Sequence, residues 1–193
     1  MKTFDQKLWQ DRAWKLYQQA LSRVEGKKGK KFSINDRMPA GIAWKRDTIA
    51  IKAMSTVLAW CKTRNVRVMF CDIPNGEYAN NLILISIKAR AARQFNYLLH
   101  EIGHHLIDSS RANKIKKFPL GYAKSNDTRA CKTFGHRIDV VGEELEAWYR
   151  GGRLASKLKV SFDRKFFDDD RINAMRTYFK WCLRTHGYGK ESI

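Results

Sequence analysis

The stretch at 98–106 reads LLHEIGHHL and places two histidines and a glutamate in a strongly apolar helical pattern. This pattern begins at Lys88 and directly follows LILISI at 82–87, a β-branched run that predicts a strand. A helix this apolar is buried, and burying two imidazoles and a carboxylate without partners would cost several kcal/mol. The chain must therefore fold so that something satisfies these polar groups.

His100, Glu101 and His104 form the pattern H-E-x-x-H within this helix. Four residues are one helical turn plus about 40°, so His100 and His104 project from one face and can bind one metal ion together. Glu101 lies about 100° around from His100, where it can reach a water molecule on the metal. Imidazole nitrogens suit Zn²⁺, and an open fourth position is typical of a catalytic site. Two alternatives stay open: polar core residues satisfied within the protein, and a metal site without catalysis.

A catalytic zinc needs a third protein ligand, and the candidates lie downstream. One is His136, which lies next to Gly135 in a predicted loop, and the others are three acids, Glu143, Glu144 and Glu146. Such an acidic cluster stands out in a chain with twice as many bases as acids, although a solvated helix face would also explain it. Glu144 and Glu146 are two residues apart on a helix and point about 200° from each other, so both cannot face one ion.

The whole pattern predicts an α+β protein, a small sheet embedded in helices. A second strand is predicted at 66–71, a turn at 73–76, and a polar, basic connection at 109–135. Gly151 and Gly152 weaken one of the helices. The helical segments are 4–25, 46–64, 88–107, 138–158 and 164–185.

No repeat or linker divides the sequence, so we predict a single domain over 1–193. Its core spans about 64–155, with helical extensions at 1–63 and 156–193. An aromatic content of 12% argues against intrinsic disorder. The longest uninterrupted apolar run covers only 57–61, whereas a membrane span needs about 20 residues. The charged start of the chain carries no secretory signal, so we expect a cytoplasmic protein without a membrane span.

The charge of the chain indicates a class of partner. The 193 residues include 38 Lys and Arg against 19 Asp and Glu, which gives a net charge of +19. Such a surface should attract polyanions such as nucleic acid, anionic lipid or an acidic protein. The four cysteines contain no C-x-x-C pair, which argues against a structural zinc ribbon.

The order strand, strand, helix with HEIGHH, loop and helix with E-x-E-A resembles the gluzincin zinc metallopeptidases. Within them it looks most like the small intracellular ImmA/IrrE-type proteins, over about 64–155. Their E-x-E-A-N pattern falls on ELEAW at 144–148, which implies Glu144 as the third ligand. Trp148 stands where related gluzincins place Asn or Asp. The resemblance also implies a zincin-like core, and a substrate strand that pairs with an exposed edge strand near 82–87.

We therefore predict a zinc-dependent peptidase that acts on a protein or peptide substrate. The resemblance implies that His100, His104 and Glu144 hold the ion. Glu101 would take a proton from the attacking water and return it to the leaving amine.

Several residues are candidates for a supporting role. Asp108 sits one turn past His104 and is a candidate partner for the ring N–H of that histidine. The candidates for stabilising the oxyanion are Tyr149, Tyr122 and His136.

Two rival functions follow from the basic charge. The first is a nucleic-acid-associated protein that uses a zincin-like core as a scaffold. The second is a protease recruited to nucleic acid, whose third ligand would be His136, since proteases of the SprT type use a third histidine.

Overall fold

The computed structural model describes residues 40–122, 127, 129 and 133–184, and these form an α+β structure, as predicted. The helix predicted at 4–25 lies outside the described residues. Within the described residues, no helix is both long and apolar enough to cross a bilayer. The elements are α1 (Ala40–Thr63), β1 (Arg67–Cys71), β2 (Gly76–Ala79), β3 (Leu82–Ser86), α2 (Ala91–Asp108), α3 (Arg111–Lys117), α4 (Phe134–Lys157) and α5 (Arg164–Arg184).

The chain divides into two compact units, Met1–Phe95 and Asn96–Ile193. In the first unit the described residues form α1 and a three-stranded mixed sheet in the order β1-β3-β2. Ile83 on β3 pairs with Val68 of β1 in parallel and with Tyr78 of β2 in antiparallel fashion. The expectation of an exposed edge strand near 82–87 is therefore wrong, because the neighbouring strands already use both edges of β3. The single domain with a core at 64–155 stays a prediction.

The sequence does not predict β2, since the turn predicted at 73–76 reaches only its first residue. Its four residues, GEYA, include no β-branched side chain, so their strand propensity is low. Asn80 and Asn81, with φ of 49° and 63°, form the two-residue turn that joins β2 to β3. Two consecutive residues with positive φ are typical of the type I′ hairpin, and Asn tolerates this conformation.

Asp47 on α1 determines where α2 begins. Its Oδ1 accepts a hydrogen bond from the backbone N–H of Ala92 at 3.0 Å, and its Oδ2 accepts from Arg90 Nε and Nη2 at 3.0 and 2.8 Å. A carboxylate at a helix N-terminus satisfies an otherwise unpaired N–H and interacts favourably with the helix dipole. Gln94 Nε2 donates to the carbonyl oxygen of Ser86 at 3.0 Å, which ties the first turn of α2 to the end of β3.

In the second unit, α2 and α4 approach each other at backbone distance. A Cβ atom at Gly103 would lie 1.9 Å from the carbonyl oxygen of Ala147, and one at Gly151 would lie 2.1 Å from that of Leu99. Only glycine allows this spacing, because any Cβ would collide with the opposite backbone. Leu99 meets Gly151 and the later Gly103 meets the earlier Ala147, so α2 and α4 are antiparallel. Gly151 and Gly152 both lie inside α4, so the glycine pair does not end the helix.

The connection predicted at 109–135 is not all loop. It contains α3, none of whose residues is buried, so hydrophobic periodicity could not reveal this helix. α4 begins at Phe134, four residues earlier than predicted, because the Thr133 hydroxyl accepts a hydrogen bond from the backbone N–H of His136 at 3.1 Å. His136 therefore lies in the first turn of α4 and is buried, whereas the sequence placed it in a loop.

α5 packs against α4 and is tied to α2. The rings of Trp148 and Phe167 meet edge to face with centroids 5.2 Å apart, and both are buried. The side chain of Asn96 donates a buried hydrogen bond to Asp170 at 2.8 Å. Because a lone buried amide would be costly, this bond helps to specify how α2 and α5 pack.

We expect Gly151→Ala to lower the free energy of unfolding by about 2 kcal/mol or more, because the new methyl group collides with the backbone of α2. Gly152→Ala is the matched control, since its Cβ would meet only side-chain atoms of Arg164 and Phe167, at 3.3 Å. Alanine gains about 1 kcal/mol of helix propensity at either position, so the control should be neutral or stabilising. Urea unfolding compares the two variants, and equal stability would contradict the backbone contact.

Candidate metal centre

The close approach of α2 and α4 brings His100 and His104 against Glu144. Glu144 Oε2 lies 3.2 Å from His100 Nε2, and Glu144 Oε1 lies 3.4 Å from His104 Nε2. The two imidazole rings have centroids 4.8 Å apart. The structure thus brings together the three side chains that the resemblance implies as ligands, and a single carboxylate bridges both rings.

The distances between these atoms suit a zinc ion. Tetrahedral ligands at about 2.0–2.1 Å from zinc lie roughly 3.3 Å from one another, whereas direct N–H···O hydrogen bonds cluster near about 2.9 Å. Glu144 Oε2 is buried and has no hydrogen-bond partner among the described residues. Leaving a buried carboxylate oxygen unsatisfied is costly, and a cation would satisfy it. The donor set of two imidazoles and one carboxylate therefore fits Zn²⁺.

Glu101 lies beside this set but farther from the histidines. Its nearest carboxylate oxygen is 4.0 Å from His100 Nε2, against 3.2 Å for Glu144. One ligand atom from each of His100, Glu101 and His104 lies within 4.8 Å of the other two. Glu144 is therefore the carboxylate closer to the histidines, and Glu101 lies beside them at a greater distance.

The carboxylates and imidazoles shift each other's pKa values. Burial raises the pKa of Glu144, but the adjacent imidazoles of His100 and His104 outweigh burial and hold that pKa well below its usual range. Burial lowers the pKa of His104, but Glu144 above all, with help from Glu101 and Glu143, raises it above its ordinary value. Glu144 is therefore ionised at neutral pH and presents a negative charge to a cation.

Trp148 supports His100 by stacking. The two rings have centroids 4.4 Å apart and planes 25° from parallel. His100 Nδ1 and Trp148 Nε1 are both buried without a hydrogen-bond partner among the described residues. Metal-binding histidines usually donate their second ring N–H to an acceptor. In the described part of this chain, the stacked indole orients the His100 ring but does not accept its N–H, which lies nearly parallel to the indole face.

Glu143 points away from the histidines and holds α3 and the segment at Tyr122. Its carboxylate pairs with Lys114 Nζ at 2.7 Å and accepts the backbone N–H of Tyr122 at 3.0 Å. Lys114 also pairs with Asp108 at 2.6 Å. Asp108 is thus engaged with α3, and the structure does not bring it to the ring of His104.

Glu146 and His136 also have other partners. Glu146 pairs with Lys117 and Arg150, each at 2.8 Å. His136 donates from Nδ1 to the carbonyl oxygen of Leu120. Of the acids considered as third ligand, Glu144 is the one whose carboxylate contacts both site histidines.

Two tyrosines border the centre. The hydroxyl of Tyr122 donates to Glu144 Oε1 at 2.6 Å, and its ring lies edge-on to His104 with centroids 6.0 Å apart. Tyr178 on α5 lies close enough to Glu144 and Tyr122 for both to shift the pKa of its hydroxyl. Desolvation and the charge of Glu144 raise the pKa of both tyrosines, so both hydroxyls are protonated donors at neutral pH.

Tyr178 did not emerge from the sequence, because it lies beyond the segment that the resemblance covers and no motif marks it. Tyr149, a candidate for the oxyanion role, lies elsewhere. The residue is 53% exposed, and the guanidinium of Arg153 lies 5.6 Å from the centre of its ring.

Comparison of the chain with known protein families, with curated proteins and with solved structures finds no match. The assignment of a chemistry to this centre therefore rests on the motif and on the geometry of His100, Glu101, His104 and Glu144.

We expect the purified protein to bind about one Zn²⁺ per chain, and Glu144→Ala to weaken zinc binding by at least about 10-fold. The reason is that this substitution removes the carboxylate that contacts both Nε2 atoms. Glu146→Ala is the matched control, since it makes the same change two residues along α4 and should leave zinc affinity within about threefold of wild type. Chelator competition measures both. A Glu144→Ala protein that holds zinc as tightly as wild type would rule out Glu144 as a ligand.

Proposed function

We propose that this protein is a zinc-dependent peptidase of the gluzincin type, with His100, His104 and Glu144 as the metal ligands. The observation that carries the proposal is the contact of one buried carboxylate with the Nε2 atoms of both histidines of the H-E-x-x-H motif. Zinc bound there would polarise the substrate carbonyl and lower the pKa of a water molecule. We also assign α2 and α4 to a zincin-like core of the kind found in ImmA/IrrE-type proteins.

Glu101 has the position of a general base. Its side chain is buried, one residue along α2 from the first ligand, and about 100° around the helix from it. From there its carboxylate takes the proton of the attacking water. It then returns this proton to the nitrogen of the leaving amine, so that the glutamate ends the cycle ionised.

Tyr122 and Tyr178 have the chemistry required to stabilise the oxyanion. Both hydroxyls keep their protons at neutral pH and lie at Glu144, beside the place where a scissile carbonyl would bind. A hydroxyl that moves from the carboxylate to the carbonyl oxygen would stabilise the charge that develops in the transition state. Tyr122→Phe would then lower kcat and leave the zinc content unchanged, and an unchanged kcat would argue against this role.

We expect Glu101→Gln to retain zinc and the fold but to lose about 10²- to 10⁴-fold in peptide hydrolysis, the usual share of a general base. The substitution keeps the size of the side chain and removes only its ability to accept a proton. Mass spectrometry of a peptide library incubated with each protein measures the loss. Equal cleavage by wild type and Glu101→Gln would contradict the proposal, and loss of zinc from the variant would show that Glu101 is a ligand.

Nucleic-acid binding is the second candidate, and the net charge of +19 favours it. We expect such binding to weaken steeply between two salt concentrations and to survive a chelator, because it depends on phosphate contacts. Filter binding with and without chelator tests this expectation. Salt-dependent binding together with peptide cleavage would support a protease recruited to nucleic acid, and the absence of binding at low salt would exclude both nucleic-acid functions.

A further inference from the structure

A pocket of about 240 Å³ opens between α4 and α5. Aromatic rings and guanidinium groups form most of its wall. These residues are Trp148, Tyr149, Phe167, Arg153, Arg164 and Arg171. The pocket therefore combines aromatic walls with cationic groups, and none of the roles assigned above to the metal centre uses it.

Two of the arginines are held in place by aromatic rings. The guanidinium of Arg153 lies over the ring of Tyr149 at 5.6 Å, and that of Arg164 lies over the ring of Phe162 at 5.7 Å. Stacking uses the flat face of a guanidinium and leaves the N–H groups at its edge available. Neither arginine pairs with an acid within the described part of the chain, so both charges are available to a ligand.

The third arginine is already neutralised. Arg171 pairs with Asp168 at 3.2 Å, and both residues line the pocket. Three positive charges and one negative charge leave the pocket at +2. A guanidinium binds a carboxylate through two parallel N–H···O bonds, and the aromatic walls would cover the methylene groups of an acidic side chain.

The pocket and the metal centre share the α4–α5 contact. Trp148 lines the pocket and stacks on His100 at 4.4 Å. Three residues lie on one face of α5, because they follow one another at spacings of four and seven residues. They are Phe167, Arg171 and Tyr178. Arg171 and Tyr178 are about 10 Å apart along the helix axis. An extended peptide covers that distance in roughly three residues.

We propose that this arginine pocket binds the carboxylate of an acidic residue in the peptide substrate, about three residues from the bond that is cleaved. The inference rests on the proposed peptidase function and gives it a substrate class, acidic peptides. The net charge of +19 acts in the same direction, because it steers acidic segments to the protein before they dock.

The test is a binding titration with the full chain carrying Glu101→Gln, which prevents cleavage. Fluorescent peptides that differ only in the position of a single Glu, each with a matched Gln peptide, are titrated by anisotropy into the zinc-loaded and the chelated protein. We expect one Glu position to bind about 10-fold tighter than its Gln partner. Adding Arg153→Gln or Arg164→Gln should each remove that preference. Both arginines are exposed, so the two variants provide independent tests if one of them fails to fold.

Arg176→Gln is the matched control. Arg176 lies on the same helix and loses the same charge, but it is nine residues from Phe167 and therefore about half a turn away from the pocket face. The preference for Glu should persist in this variant. If Arg176→Gln and Arg164→Gln weaken binding equally, net charge alone explains the effect and the pocket proposal fails. It fails equally if a single-stranded oligonucleotide displaces the peptide and binds more tightly through Arg153 and Arg164.

Cleavage assays with wild type separate this inference from the proposed function. Cleavage of Glu and Gln peptides with equal kcat/KM would overturn the pocket and keep the peptidase. Preference for Glu that depends on Arg153 and Arg164, without cleavage of any peptide, would support the pocket as a carboxylate site and overturn the peptidase.

Discussion

The contact of α2 with α4 at backbone distance is the constraint on which the second unit depends. Packed helices usually lie about 8–10 Å apart, a separation set by the side chains between them. Gly103 and Gly151 remove those side chains at two points, where the opposite carbonyl oxygens take the space. The gap that remains is narrow enough for one glutamate to reach two imidazoles, and for Trp148 to stack on His100. A larger residue at either glycine would move Glu144 away from the histidines as the helices separate.

The acidic residues of α4 at the centre differ in their partners. Glu143 and Glu146, on either side of Glu144 in the chain, pair with lysine and arginine side chains. These contacts hold α3 and the Tyr122 backbone against α4 and so form the surroundings of the centre. Glu144 faces the imidazoles of His100 and His104 instead, and its buried Oε2 has no hydrogen-bond donor among the described residues. A carboxylate in this position is the one suited to a cation, since the others are already neutralised.

Local sequence patterns predicted the elements that have strong periodicity. α2 and α5 were predicted to within a few residues, as was β3, because apolar side chains recur along them at regular spacing. β2 and α3 were missed, because β2 lacks β-branched residues and α3 has no buried face. The edge position expected for β3 was wrong, since strand order depends on pairing between segments that a local pattern does not record. His136 was predicted in a loop because apolar periodicity does not reveal the first residues of α4. That end of the helix is set by the cap at Thr133.

For the candidate site, what the sequence could predict depends on how far apart in the chain the interacting residues lie. The sequence alone determined that His100 and His104 share one face of a helix and that Glu101 lies beside them, because a regular helix converts spacing directly into direction. It also limited the third ligand to a few acids or His136, and the resemblance pointed to Glu144. Tertiary structure alone decided which acid meets the histidines, that Tyr178 joins them, and that three arginines converge on one pocket. These outcomes depend on how α2, α4 and α5 pack, and that packing depends on steric contacts, such as Gly151 against Leu99, between residues about 50 positions apart in the chain.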